Sequence, residues 1–198
     1  MPPAKGAPYH HGELRPVLLA AAAEVIAEVG AGSMSLREVA RRAGVSHTAA
    51  AYHFGDKIGL LTALAIEGFR HLTSALGETW EQTGDVLELG VAYVRFALAH
   101  PAFFDVMFRP DLHHLDDPEL VAAKRRARML LTPQPHDGSP SGSPKLDAGV
   151  AEWSLMHGLA TLWINGVLPK QLGDDAEAVA RIVGRHLSAG AAADSPRA

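Results

Sequence analysis

The chain has 198 residues, 47% of them apolar, and a formal net charge of −4. That length fits one or two domains, and the apolar share is ample for a packed core. Cysteine is absent, which excludes a disulfide framework, a thiolate metal site and a cysteine nucleophile. The longest apolar run, Val17 to Ala23, is stopped by Glu24 and is far too short to span a bilayer, so no membrane partner is expected. The opening MPPAKGAPYHHGEL lacks an apolar signal core, and a soluble cytoplasmic protein is expected.

No run alternates at period two with β-branched residues, and Ala and Leu dominate, so the expected fold class is all-α. Residues 1–12, rich in Pro, Gly and Ala, read as a flexible arm. A helix is expected over 13–29, with Leu14, Val17, Leu18, Ala21, Val25 and Val29 as its core stripe and Gly30 as its end. The stretch Ser35 to Lys57, SLREVARRAGVSHTAAAYHFGDK, then reads as two short helices. Ser35 and Glu38 have capping-box spacing, and Leu36, Val39, Ala40 and Ala43 form an apolar stripe. Gly44 stops the first helix, Val45 is a core anchor, and Ser46 caps a second helix over 47–54. A helix, a tight turn containing Gly and a second short helix make the pattern of a helix-turn-helix, the alternative being an ordinary helical hairpin.

The pattern lengthens after Asp56, a fitting N-cap, into a helix over 57–81 carrying Ile58, Leu61, Leu64, Ala65, Phe69, Leu72, Leu76 and Trp80. Helices over 85–99 and 101–108 follow, separated before Pro101, and another over 118–131. The KRRAR cluster, Lys124 to Arg128, reads as a solvated face beside Asp116, Asp117 and Glu119. Residues 132–145 form a Pro/Gly/Ser-rich loop, expected to be mobile. Residues 147–168 are apolar on nearly every face and close at Pro169, so they need cover on both sides. The last helix, 175–189, has Asp174 and Glu177 as a capping box and Val179, Ile182, Val183, His186 and Leu187 as its stripe; 191–198 reads as a disordered tail. With small residues Ala148, Ala151, Gly158, Ala160 and Gly166 nearby, these two helices are expected to form half of a symmetric four-helix interface with a second copy.

Charge is uneven. Residues 1–57 hold six Lys/Arg against five Asp/Glu, or +1, and the remainder 12 against 17, or −5. A balance of +1 is a weak footprint for phosphate binding, although a dimer doubles the contacts. His113, His114, Asp116 and Asp117 offer metal-type ligands, but adjacent histidines in a turn-rich loop share no helix face and no helical pair has i, i+4 His spacing. Neither a Gly-rich phosphate loop nor a Gly-flanked Ser nucleophile is present. A metal-dependent hydrolase is therefore disfavoured, and no cofactor, metal or catalytic residue is assigned.

The first seventy residues resemble the DNA-binding domain of the tetracycline-repressor (TetR) family of transcriptional regulators, through Ser35–Ala40, Ala43–Ser46, His53–Lys57 and Leu60–Leu61. HPAFFDVMF (100–108) and WSLMHG (153–158) resemble the C-terminal half of a subgroup marked by a Trp, His, Gly motif. The resemblance implies a helix-turn-helix domain over 13–57, a helical ligand-binding and dimerisation domain over 58–190, a homodimer built on the last two long helices, and release from a double-stranded DNA operator by a small-molecule effector. His47, Thr48 and Ala49 then enter the major groove, beside Ser46 as a further DNA contact; His47 and Thr48 can donate or accept there and Ala49 can touch a thymine methyl. Ser35, Arg37, Tyr52, His53 and Lys57 are the accompanying DNA contacts. The family's usual aromatic stands two residues before His53, where this chain has Ala51, and Tyr52 lies about 100° further round the helix. Phe54 goes to the core, and Tyr9, His10, His11 and Arg15 resemble the subgroup's arm. Candidate pocket walls are Phe96, Phe103, Phe104, Met107, Phe108, Met129, Trp153, His157 and Trp163, apolar groups with a few polar ones. A dimerisation module with weakened DNA binding is the alternative, motivated by the weak charge and by Ala51.

Overall fold

A computed structural model of the protein describes residues 14–132 and 144–193, with side chains of its last two helices described over 148–187. The expected arm over 1–12, most of the loop over 132–145, and the tail from 194 lie outside the described residues. Among the described residues there are nine helices and no strand: α1 (Leu14–Ser33), α2 (Leu36–Arg42), α3 (His47–Phe54), α4 (Lys57–Thr83), α5 (Val86–Ala99), α6 (Pro101–Met107), α7 (Pro118–Leu131), α8 (Pro144–Ile164) and α9 (Ala176–Ala193).

Local chemistry sets most of the boundaries. Ser35 Oγ accepts from the Glu38 N–H at 3.2 Å, Ser46 Oγ from Ala49 at 3.1 Å, and Asp56 Oδ1 from Gly59 at 2.8 Å. Each satisfies a donor that the first turn leaves open. The capping box at Ser35 is half made, because the Glu38 carboxylate turns to Arg41 instead. Gly44 sits at φ 69° with its N–H on the Arg41 carbonyl, and Val45 N–H reaches the Ala40 carbonyl. That is a Schellman motif, and it builds the turn between α2 and α3. Gly30, at φ 77°, breaks α1 where the sequence places its end.

Three expectations need correcting. In α1, Val17 and Val29 are exposed, whereas Leu19, Ala22 and Ile26 are buried with Leu14, Leu18, Ala21 and Val25. A helix with Ala, Val and Leu on most faces carries little directional signal, and the buried face is set by what packs on it. The cap of α9 is Asp175, whose Oδ1 accepts from Ala178 at 2.9 Å; Glu177 is free to pair with Arg95 at 2.7 Å. Helix α8 stops at Ile164 rather than 168: Gly166, at φ 64°, places Val167 N–H on the Leu162 carbonyl and ends the helix with a second Schellman motif.

Helix α4 packs against α1 and α3 and also against α5, α6 and α7, so one element belongs to both halves of the molecule. Its Leu60, Leu61, Leu64, Leu72 and Leu76 are fully buried. Helix α6 joins the halves a second time, lying against α1 as well as α4. There the Asp105 carboxylate accepts from the Ala31 N–H at 3.3 Å, just beyond the break at Gly30. Helices α8 and α9 pack on α5, yet Val150, Leu162 and Ile164 of α8 and Ile182 and Leu187 of α9 remain exposed. The α9 stripe is thus divided: Val179 is buried, Val183 half-buried, and Ile182, His186 and Leu187 face outward. No single helix among the described residues is long and apolar enough to cross a membrane.

Candidate nucleic-acid interface and effector cavity

Helix α3 is anchored from one side only. Ala50 and Phe54 are buried, and Val39 and Ala40 of α2 are almost inaccessible beneath it, the small Ala40 allowing the two helices to cross closely. His47 and Thr48 stand exposed at its N-terminus, while Ala49 is half-buried against the core. Tyr52 is 86% exposed, with only the His53 ring edge-on to it at 5.6 Å. A large aromatic held in water on a rigid helix is informative, because burial is its usual fate.

The hydroxyls of Ser35 and Ser46 cap their helices as acceptors and keep their own protons to donate. Arg37 is exposed with no ion partner among the described residues. Arg41 and Arg42 are committed elsewhere: Arg41 to Glu38 at 2.6 Å, and Arg42 to Glu28 through two bonds of 2.6 and 2.7 Å. These bonds hold the Glu28 and Glu38 carboxyls below the usual range. Internal pairing thus takes up Arg41 and Arg42, and among the described residues Arg15 and Arg37 have no ion pair. Lys57 also has a structural task, since its Nζ donates to the Gly32 carbonyl at 2.6 Å and ties α4 to the turn after α1. The Arg15 guanidinium lies 5.2 Å over the Phe54 ring.

In the second half, two cavities share a wall made by Leu131 and Trp153. One, of about 220 Å³, lies between α4, α5, α7 and α8 and is lined by Trp80, Leu89, Tyr93, Met129, Glu152 and Met156 among others. The other, of about 260 Å³, lies between α4, α6, α7 and α8 and meets Phe69, Met107, Phe108, Lys124 and Arg128. A shallower pocket beside them is bordered by Phe104, Phe108, Arg109 and His157. Of the nine expected wall residues, Phe104, Met107, Phe108, Met129, Trp153 and His157 reach these spaces. Phe96, Phe103 and Trp163 border none of the three; Phe96 is buried core beside His100, and Phe103 stacks near His71 and His100.

His157 has a partner, as a polar ring on an apolar helix must: its Nδ1 lies 2.8 Å from the Tyr93 hydroxyl. Burial lowers the His157 pKa and raises that of Tyr93, so the pair is neutral near pH 7. Burial, with Asp85 adding to it, raises the Glu152 carboxyl. Trp153 Nε1 is buried and turns to the Tyr93 hydroxyl, though too loosely for a hydrogen bond of good geometry. Sequence reasoning missed Tyr93, Glu152 and Lys124 here. Lys124, Ala127, Arg128 and Leu131 do lie at i, i+3, i+4 and i+7, which puts two cations and two apolar groups on one helix face. The expected solvated face therefore holds for exposed Arg125, Arg126 and Arg128, the last of which also borders the cavity, while half-buried Lys124 turns to it. His113 is buried and His114 exposed, so the neighbouring histidines do not converge. Among the described residues no group of three or more His, Asp or Glu could hold a metal ion.

A capped helix-turn-helix with an open second helix, joined through one long helix to a hollow all-helical body, defines a one-component DNA-binding regulator. Residues 18–64 match the bacterial regulatory proteins of the tetR family, and residues 86–187 match the tetracyclin repressor-like C-terminal domain. The chain belongs to the TetR family. A protein of unknown function from Rhodococcus sp. RHA1 is 32% identical over 93% of this chain and 98% of its own, with a TM-score of 0.74. The TetR family transcriptional regulator PfmR from Thermus thermophilus shares the fold at 23% identity, covering 86% of this chain and 96% of its own, TM-score 0.60. FadR from Bacillus subtilis, solved in complex with stearoyl-CoA, does so at 18% identity over 88% and 98%, TM-score 0.66. No curated protein matches the sequence significantly.

Proposed function

We propose that the protein is a homodimeric repressor, released from its operator when a small molecule enters the helical half. The observation that carries this reading is the double attachment of the reading domain to the hollow domain. Helix α4 runs through both, and α6 brings cavity residues Met107 and Phe108 within one turn of Asp105, which holds Ala31. A ligand that displaces α6 acts directly on the turn that orients α2 and α3.

The proposed division places the reading domain over 13–57 and the sensing and dimerising domain over 58–190. In the reading domain, His47 and Thr48 face base edges, and Ser35, Arg37, Ser46, Tyr52, His53 and Lys57 meet the backbone. Ala49, half-buried, offers only an edge to a thymine methyl. Exposed Tyr52 takes over the position that Ala51 leaves without an aromatic. The outward apolar residues of α8 and α9 supply the dimer interface, since a monomer seldom leaves such a face uncovered. The body of the effector occupies the paired cavities, and a liganded relative of the same fold, FadR with stearoyl-CoA, supports an effector site in this half. A weakened dimerisation module is disfavoured by the exposed, well-capped α3.

The dimer is testable through Ile182, which is 49% exposed. In I182D, light scattering should find a monomer, and affinity for a two-half-site operator should fall by about a hundredfold or more as the two heads lose their linkage. A variant that remains dimeric, or a monomer that binds as tightly, contradicts the reading.

A further inference from the structure

We infer that the cavity between α4, α6, α7 and α8 takes an amphipathic anion, its apolar body against Phe69, Met107, Phe108 and Trp153 and its anionic end on Lys124 and Arg128. The inference rests on the effector-released reading above and specifies the chemistry of that effector. The walls are apolar except at one end, and both charged groups that reach the space are cations one helical turn apart on α7. Neither side chain has an ion pair or a hydrogen bond among the described residues.

Among the described residues, three carboxylates near α7 are engaged elsewhere, and Glu152 lines the neighbouring cavity beyond the shared Trp153 wall. Asp111 pairs with Arg109 at 3.3 Å, Asp117 caps α7 through two bonds of 2.9 Å, and Glu119 pairs with Arg70 at 3.3 Å. His113, the buried titratable group beside Lys124, offers no negative charge. Both of its ring nitrogens are buried with no hydrogen bond of good geometry, a loose contact to the Val106 backbone aside, and burial together with the Lys124 charge keeps the ring neutral. Lys124 is thus half-buried with no counter-charge among the described residues, and desolvation lowers its pKa. A partly desolvated cation without a partner is costly, and an incoming anion offsets that cost. A lipophilic cation meets two like charges here, and a neutral chain leaves them unpaired.

A space of about 260 Å³ holds a body of about nine heavy atoms, at about 30 Å³ for each water-sized group, which suits a medium-length acyl chain. The test is calorimetry on the full chain with decanoate, decylamine and 1-decanol at neutral pH, below their aggregation thresholds. Decanoate should bind at least about tenfold more tightly than either of the others, a difference of about 1.4 kcal/mol. K124M and R128M should each weaken decanoate by about tenfold, K124R should retain it, and K124E should reverse the preference towards decylamine. Thermal melts accompany each variant, and if K124M does not fold, K124R and K124E carry the decision. Equal affinity for decanoate and decylamine, no binding of any probe, or wild-type decanoate affinity in both K124M and R128M overturns the inference. Operator binding without probe is measured alongside. Intact operator binding with no decanoate binding sinks the cavity assignment alone, whereas loss of operator binding in the wild type sinks the regulatory reading.

Discussion

At Gly68, α4 approaches α6 too closely for a side chain to fit freely, and replacing it with alanine tests whether that contact holds the two halves together. A Cβ built there lies 2.7 Å from Met107 Sδ, 2.9 Å from Met107 Cγ and 3.2 Å from Phe103 Cβ. Met107 is 1% exposed; its thioether can shift towards the cavity it borders, but its Cγ and the Phe103 Cβ must give as well. Overpacking of this kind costs about 1–3 kcal/mol, while the gain in helix propensity from Gly to Ala returns up to about 1 kcal/mol. Gly77, nine residues further along α4, supplies the control, because a Cβ there meets nothing within 4 Å. G77A should therefore stabilise by up to about 1 kcal/mol. The two variants should differ by about 2 kcal/mol, which for a chain of this size separates their melting temperatures by about 6 °C. Thermal unfolding followed by circular dichroism at one fixed protomer concentration measures the difference directly. If G68A melts at or above G77A, the α4–α6 contact at this point yields without cost and is too loose to carry the coupling through α6.

Further outcomes follow from single contacts. D105A removes the acceptor for Ala31 N–H; stability should fall by about 1 kcal/mol, and amide exchange at Ala31 should lose its protection. Unchanged exchange there would remove α6 from the coupling route. K57A should weaken DNA binding for all sequences and reduce the salt slope by about one unit. An unchanged slope would assign Lys57 to its Gly32 bond alone. Burial lowers the pKa of His100, His113 and His157, so the unfolded chain binds protons that the folded chain refuses. Stability should accordingly fall as pH drops through about 6.5, the ordinary histidine value. H113L, which removes a buried ring held by no more than a loose contact to the Val106 backbone, should flatten that fall and raise the melting temperature at pH 5.5. A steeper fall in H113L would mean that the ring has a stabilising partner.

What could be read from the sequence was what local chemistry decides. Ser35, Gly44, Ser46 and Asp56 act on backbone groups within a few residues, so their spacing alone located α2, α3 and the start of α4. Burial along α1 depends on distant helices, and a segment with Ala, Leu and Val on most faces does not reveal which side they cover. The α9 cap was ambiguous because Asp174 and Asp175 are adjacent, and only Asp175 bonds to the first turn. The cavity was legible by composition and not by address. Phe96 and Phe103 look like Phe104 and Phe108 in the sequence, yet only the latter two border the cavities, because α6 turns sharply at Pro101 and Phe96 stays in the core. Tyr93 gave no sign of its bond to His157, since their pairing spans 64 residues. Lys124 was hidden inside a cluster that otherwise does face water.

The central claim is specific recognition of DNA by α3. Fluorescence anisotropy of the full chain against the DNA upstream of its own coding sequence tests it, with a scrambled duplex of equal length and composition, across a range of salt. The account predicts saturable binding by one dimer with a Kd on the order of 10⁻⁸ M or tighter, steep salt dependence, and affinity for the scrambled duplex weaker by about a thousandfold or more. Equal affinity for the two duplexes, or binding to the upstream DNA that salt does not weaken, would contradict it.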